Sequence, residues 1–115
     1  MTITHVFARI DVAERDAAVA WYERLLGRPP DLIPNEIEAA WELTAGGWLY
    51  IIADEESGPH ASSATLLVDD LDERMRALAD RGVEGGPVET ISGGARKLTV
   101  TDPDGNQIVF AQPGP

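Results

Sequence analysis

The 115-residue chain contains no cysteine, which removes disulfides, thiolate metal sites and a cysteine nucleophile from consideration. Histidine is scarce, with only His5 and His60. Long apolar runs are missing, and nothing approaches the ~20 residues that a membrane-spanning helix needs. The first residues, Met1-Thr2-Ile3-Thr4-His5, carry neither the basic patch nor the apolar stretch of a secretion signal. A cytoplasmic protein without a membrane partner is expected. Positive charge is also in short supply: nine Lys and Arg stand against twenty Asp and Glu, a net charge of −11. That field repels phosphate backbones, so nucleic acid is not an expected partner, and it favours cationic small molecules.

What the chain does have is an internal repeat. Shifted by 56 positions, Phe7 falls on Ser63, Val12 on Val68, Asp16 on Asp72 and Val19 on Met75. Each half opens with a strand-like stretch, Val6 to Val12 and Ala64 to Val68, rich in branched and apolar residues. Each then becomes helical. Ala18, Val19, Tyr22, Leu25 and Leu26 recur at three- and four-residue spacing and predict a helix over 15–26, stopped by Gly27. Leu71, Met75 and Leu78 predict a second helix over 71–81, capped by Asp69 or Asp70 and ended by Gly82, with Arg76 and Arg81 near the negative end of its dipole.

Three strands are expected after each helix: 31–33, 39–43 and 48–53, then 88–91, 96–101 and 107–111. Ala45-Gly46-Gly47, Ser92-Gly93-Gly94 and Asp102-Pro103-Asp104-Gly105 supply the turns. The segment 55–60, which includes His60, reads as a linker. The expected fold is therefore α+β: two tandem βαβββ modules, about 1–55 and about 61–113, within one domain over 1–115. Each half is too small to cover its own sheet. The helices pack on one face, and a curved mixed sheet leaves the other face around a groove.

Three stretches, Val19-Ala20-Trp21-Tyr22-Glu23-Arg24-Leu25-Leu26-Gly27, Val68-Asp69-Asp70-Leu71 and Asp102-Pro103-Asp104-Gly105-Asn106, resemble the vicinal oxygen chelate superfamily in the same order. This superfamily includes glyoxalase I, extradiol dioxygenases, fosfomycin-modifying enzymes and bleomycin-resistance proteins. The resemblance covers essentially the whole chain. It implies a divalent metal held by His or Glu from the first and last strand of each module. Carried onto this chain, those positions are Phe7, Ser63, Val109 and the neighbourhood of Trp48 to Tyr50. Phenylalanine and valine have no lone pair to donate, and a serine hydroxyl is a weak ligand for such metals. His5 lies two residues, roughly 6 to 7 Å, from the first-strand position, and reads as a solvated residue.

No cofactor is therefore expected. Strand alternation turns Phe7 and Arg9 to the groove and Val6, Ala8 and Ile10 to the helices. Trp48 and Tyr50 share a face, with Trp41 on the neighbouring strand. Ser63 and Thr65 come from the second module's first strand, and Gln107 and Val109 from its last. These nine residues are the candidate ligand-binding set, and no catalytic residue is identified. Arg9 is either a clamp for a carboxylate or phosphate or the partner of Asp11. Glu36, Glu38 and Glu42 alternate along a strand without an acid/base partner.

The expected function is metal-free binding or sequestration of a small organic ligand, cationic or aromatic, by a homodimer resembling bleomycin-resistance proteins. Two alternatives stand beside it. One is a lyase, isomerase or dioxygenase with a displaced metal site; the other is an interaction module whose groove is filled by its own side chains.

Overall fold

Alternating apolar residues and glycine turns divide the chain into short strands, and the two amphipathic stretches between them form helices. The computed structural model describes residues 1–56 and 61–115, so His60 and most of the expected linker lie outside the described residues. In chain order the elements are β1 Val6–Asp11, α1 Arg15–Leu26, β2 Glu38–Thr44, β3 Gly47–Ile52, β4 Ser63–Leu67, α2 Leu71–Asp80, β5 Glu89–Thr90, a 3-10 turn at Ser92–Gly94, β6 Arg96–Thr101 and β7 Gln107–Gln112. The fold is α+β, with one mixed sheet per module, ordered β1-β3-β2 and β4-β7-β6-β5. In both sheets the module's first strand runs parallel to its last, and the last runs antiparallel to the strand before it.

Helix α1 spans the predicted residues. Its open N-terminal amides are met by the Glu14 carboxylate, which accepts from the Ala17 N–H. It ends at Gly27, whose φ of 83° is the left-handed geometry that favours glycine. Ala18, Tyr22 and Leu25 are its buried stripe. Helix α2 is capped by Asp70, which accepts from Glu73 N–H, and stops one residue before Arg81. Arg81 does more than sit in its own helix dipole. Its guanidinium crosses to donate to the carbonyls of Arg24 and Leu25, closing the C-terminus of α1 from the other module.

One expected strand is not there. Residues 31–33 contribute only an isolated bridge, Leu32 to Ala40, because Pro29, Pro30 and Pro34 flank the stretch and cannot donate to a ladder. The strand expected at 88–91 shrinks to Glu89–Thr90. Another correction concerns β1. Ile10 packs under the helices at 1% exposure, but Val6 is 66% exposed. Val6 and Ala8 instead border a cleft of about 540 Å³ that also touches Leu26, Leu66 and Phe110. There the strand faces a gap between the modules, with Leu26 of α1 and Arg74 of α2 on its border.

The modules are joined at the opposite end. Asn106, fully buried, donates from Nδ2 to the Asp11 carbonyl at 2.8 Å and to Asp102 Oδ2 at 2.9 Å. Its own Oδ1 accepts from the backbone and hydroxyl of Ser62. Asp102 also takes the Tyr22 hydroxyl and the backbone N–H groups of Asp104 and Asn106, so every acceptor lobe of a buried carboxylate is used. The apolar core runs through both modules, with Trp41, Tyr22 and Ile51 on one side and Leu71, Leu98 and Phe110 on the other.

Candidate functional site

Strand register arranges the uncovered face of module 1 as a grid. One row reads Phe7, Trp48, Glu42; the next Arg9, Tyr50, Ala40; the third Asp11, Ile52, Glu38. Residues two apart on a strand share a face, and neighbouring strands lie about 4.8 Å apart, so these side chains share one face of the sheet, on which Ala40, Ile52 and Asp11 are themselves buried. The Phe7 and Trp48 rings stack with centroids 5.6 Å apart and planes 22° apart, while Tyr50 meets Phe7 edge-on at 6.2 Å. Phe7 remains 53% exposed. Trp48 Nε1 is buried without a hydrogen-bond partner among the described residues.

Arg9 is an ion-pair partner here. Its Nε and Nη2 donate to Asp11 Oδ1 at 3.2 and 2.9 Å, and Asp54 Oδ2 lies 3.7 Å from Nη2. The Asp11 hydrogen bond raises the guanidinium pKa above its ordinary value. Of the two expected readings of Arg9, the ion pair with Asp11 is the one formed, so its charge is already held by carboxylates. Phe7, Arg9 and Tyr50 border a cleft of about 420 Å³ together with Glu38, Leu32 and Pro34. The proline-flanked stretch that failed to become a strand thus supplies an apolar wall.

Trp41 is not part of this surface. It pairs with Leu49, on the helix side of the sheet, and is fully buried against Tyr22, its Nε1 donating to the Arg28 carbonyl. The physical reason is the pleat: Trp41 is an odd number of positions from Glu38, Ala40 and Glu42, so it must point the other way.

In module 2 the uncovered face reads Ser63, Gln107, Thr101 in one row and Thr65, Val109, Thr99 in the next. Its chemistry is that of hydroxyls and an amide around an apolar centre. The structure does not gather the nine expected residues into one cavity. Phe7, Arg9 and Tyr50 share the 420 Å³ cleft, Trp48 and Thr65 share the 540 Å³ cleft between modules, and Ser63, Gln107 and Val109 line neither.

The positions that would carry a metal through the resemblance do not fit one. Two aromatic rings stacked on each other occupy the module 1 positions, and Ser63 and Val109 offer a weak donor and none. Among the described residues, no group of three or more His, Cys, Asp or Glu side chains is assembled. His5 is exposed and bonded through Nδ1 to the Thr4 hydroxyl.

Sequence reasoning missed Glu38, Leu32, Pro34 and Ile52 as neighbours of the site. The alternation of Glu38, Ala40 and Glu42 against buried Ala39 and Trp41 was the available signal for Glu38. The wall from 32–34 had none, because it depends on where a non-repetitive loop lies.

Two successive units, each a strand, a helix and an antiparallel set whose last strand pairs in parallel with the first, with the helix packed on the unit's own sheet, define a protein of the vicinal oxygen chelate fold. The chain belongs to the Glyoxalase/Bleomycin resistance protein/Dioxygenase superfamily, whose family model matches residues 2–110. It is similar to a solved glyoxalase/bleomycin resistance protein from Catenulispora acidiphila DSM 44928, with 44% identity over 94% of this chain and 96% of that one, at a TM-score of 0.85. A lactoylglutathione lyase from Agrobacterium tumefaciens (15% identity, 93% and 91% coverage, TM-score 0.74) shares the fold. So does the oxidase ChaP-H1 (19% identity, 96% of each chain, TM-score 0.75). No curated protein matches the chain in sequence. Among the described residues, no helix is long and apolar enough to cross a membrane.

Proposed function

We propose that this protein binds and sequesters a small organic molecule on its open sheet faces, without a metal, in the manner suggested by its resemblance to bleomycin-resistance proteins. The observation that carries this reading is the stacked Phe7–Trp48 pair. It puts a half-exposed aromatic platform where metal-dependent relatives would need ligands. A platform of this kind gives affinity by stacking, and sparse polar groups around it orient what is bound.

The second half of the site comes from another copy of the chain. Phe7, Leu32, Ile33 and Leu67 are all more than half exposed, an unusual amount of large apolar surface to leave in water. Each open face is too shallow to enclose a ligand alone. A homodimer that lays the hydroxyl-rich module 2 face of one copy over the aromatic module 1 face of the other encloses it. The open clefts favour this over a groove filled by its own side chains.

The test is native mass spectrometry of the protein as purified, followed by tryptophan quenching with a panel of aromatic metabolites and antibiotics. The expected result is a dimer without stoichiometric metal, with at least one compound quenching fluorescence in wild type and not in Phe7→Ala. A monomer that binds nothing in the panel overturns the reading. A stoichiometric divalent metal that alters the quenching overturns its metal-free part.

A further inference from the structure

We propose that the module 1 cleft receives the cationic end of a flat organic ligand, with Glu38 as the residue that sets this preference. This rests on the binding function proposed above and names its chemistry.

Several charged groups border or adjoin the cleft. Arg9, the one guanidinium among the described residues lining the cleft, is paired with Asp11 and Asp54, so carboxylates outnumber it locally. Glu38 stands in the same row as Asp11 with Ile52 between them, two strands from β1 and therefore about 10 Å across the sheet. The Arg9 guanidinium turns to Asp11 and Asp54 on its own side of the sheet and forms no ion pair with Glu38. Among the described residues Glu38 has neither an ion-pair nor a side-chain hydrogen-bond partner, although it is partly buried. A partly exposed carboxylate beside apolar Leu32, Pro34 and Ile52, with no protein partner of its own, is open to pair with a cation that enters the cleft.

The rings complete the receptor. Phe7 and Tyr50 meet edge-to-face on the same surface, and the negative face of an aromatic ring attracts an organic cation. Aromatic faces on one side and a carboxylate on the other suit a delocalised cation: flat enough to stack, weakly hydrated, and charged at one edge. An anionic ligand of the same shape meets Glu38 and, behind Arg9, Asp11 and Asp54, and among the described residues that line the cleft the one positive group, Arg9, is already paired. The net charge of −11 acts in the same direction but over the whole molecule, so a local receptor and a general field need to be separated.

Three fluorescent probes separate them in titrations of the full chain at low and at physiological salt. Thioflavin T is an aromatic cation, 8-anilinonaphthalene-1-sulfonate an aromatic anion, and N-phenyl-1-naphthylamine is neutral. Glu38→Gln removes the local charge. Glu84→Gln, on the exposed loop after α2, removes the same charge elsewhere. Glu38→Asp keeps the charge on a shorter arm.

Thioflavin T is expected to bind at least about tenfold more tightly than the anionic probe, and Glu38→Gln to remove most of that difference. Glu84→Gln should leave it within about twofold, and Glu38→Asp should retain most of it. Equal binding of cation and anion, or equal effects of Glu38→Gln and Glu84→Gln, overturns the assignment while leaving small-molecule binding standing. Failure of all three probes to bind overturns both this inference and the function beneath it. Unchanged thermal midpoints in the Glu38 variants exclude misfolding as the cause.

Discussion

Tyr22 on α1 donates its phenolic hydrogen to Asp102 Oδ2 at 2.7 Å, across 80 residues of chain and from one module to the other. Both residues are buried, and Asn106 ties the same carboxylate to the end of β1. The turn Asp102-Pro103-Asp104-Gly105-Asn106 is thus a joint between modules as well as a reversal before β7.

Removing that hydroxyl has a defined cost. Tyr22→Phe leaves Asp102 one donor short inside the protein, a loss of about 1–3 kcal/mol. Calorimetry should show a fall in Tm on the order of 5–15 °C with the fold retained. The same hydroxyl gives an alkaline signature. Burial, then the Asp102 hydrogen bond, push the Tyr22 phenol above its ordinary value. A raised folded pKa means that this stability is present in full below the unfolded value, about 10, and drains away as pH rises above it. Wild type should lose Tm above pH 10 more steeply than Tyr22→Phe. Parallel curves would place the alkaline loss elsewhere.

Trp41 and Phe7 should separate stability from binding. Trp41→Ala opens a large hole in the core and should cost about 3–5 kcal/mol, read as a drop in denaturant midpoint. Phe7→Ala, at a half-exposed position, should cost under about 1.5 kcal/mol and yet abolish ligand-dependent quenching. The reverse pattern would move the binding surface to the helix side of the sheet.

Asp31 should matter at neutral pH and not in acid. The Glu42 backbone N–H, then Arg28, hold its carboxyl below the usual carboxylate range. A depressed folded pKa gives stability above the unfolded value, near 4, that disappears as pH falls through the folded one. Thermal melts of wild type and Asp31→Asn from pH 7 to pH 2.5 should show a gap that closes below pH 4. A gap constant with pH would mean that the asparagine disrupts packing instead.

Metal should leave stability alone. A ligand that binds only the folded state raises Tm in proportion to its excess over Kd. Prolonged chelation followed by excess Mn²⁺, Ni²⁺ or Zn²⁺ should therefore shift Tm by less than about 1 °C. A rise that saturates with one of these ions would reveal a site that the described residues do not assemble.

The sequence by itself determined the modular plan. Helical spacing marked α1 to the residue, because three- and four-residue apolar recurrence and a terminating glycine are local signals. Strand β6 also matched its predicted span, framed by glycine turns. The sequence likewise identified Phe7, Ser63 and Val109 as poor metal donors, since donor chemistry belongs to the side chain wherever it lies. Tertiary structure decided the rest. The proline-flanked segment 31–33 became a wall of a cleft instead of a strand, and Trp41 went to the core while Trp48 stayed on the open face. Glu38 came to line the same cleft as Phe7 and Tyr50, and Asp54 joined Asp11, the partner already legible in the sequence, at Arg9. The expected single groove became two separate faces. The prolines around 31–33 and the pleat that separates Trp41 from its strand neighbours are local features. Which face the core covers and which residues meet across strands, however, depend on strand order and register, set by contacts between residues far apart in the chain.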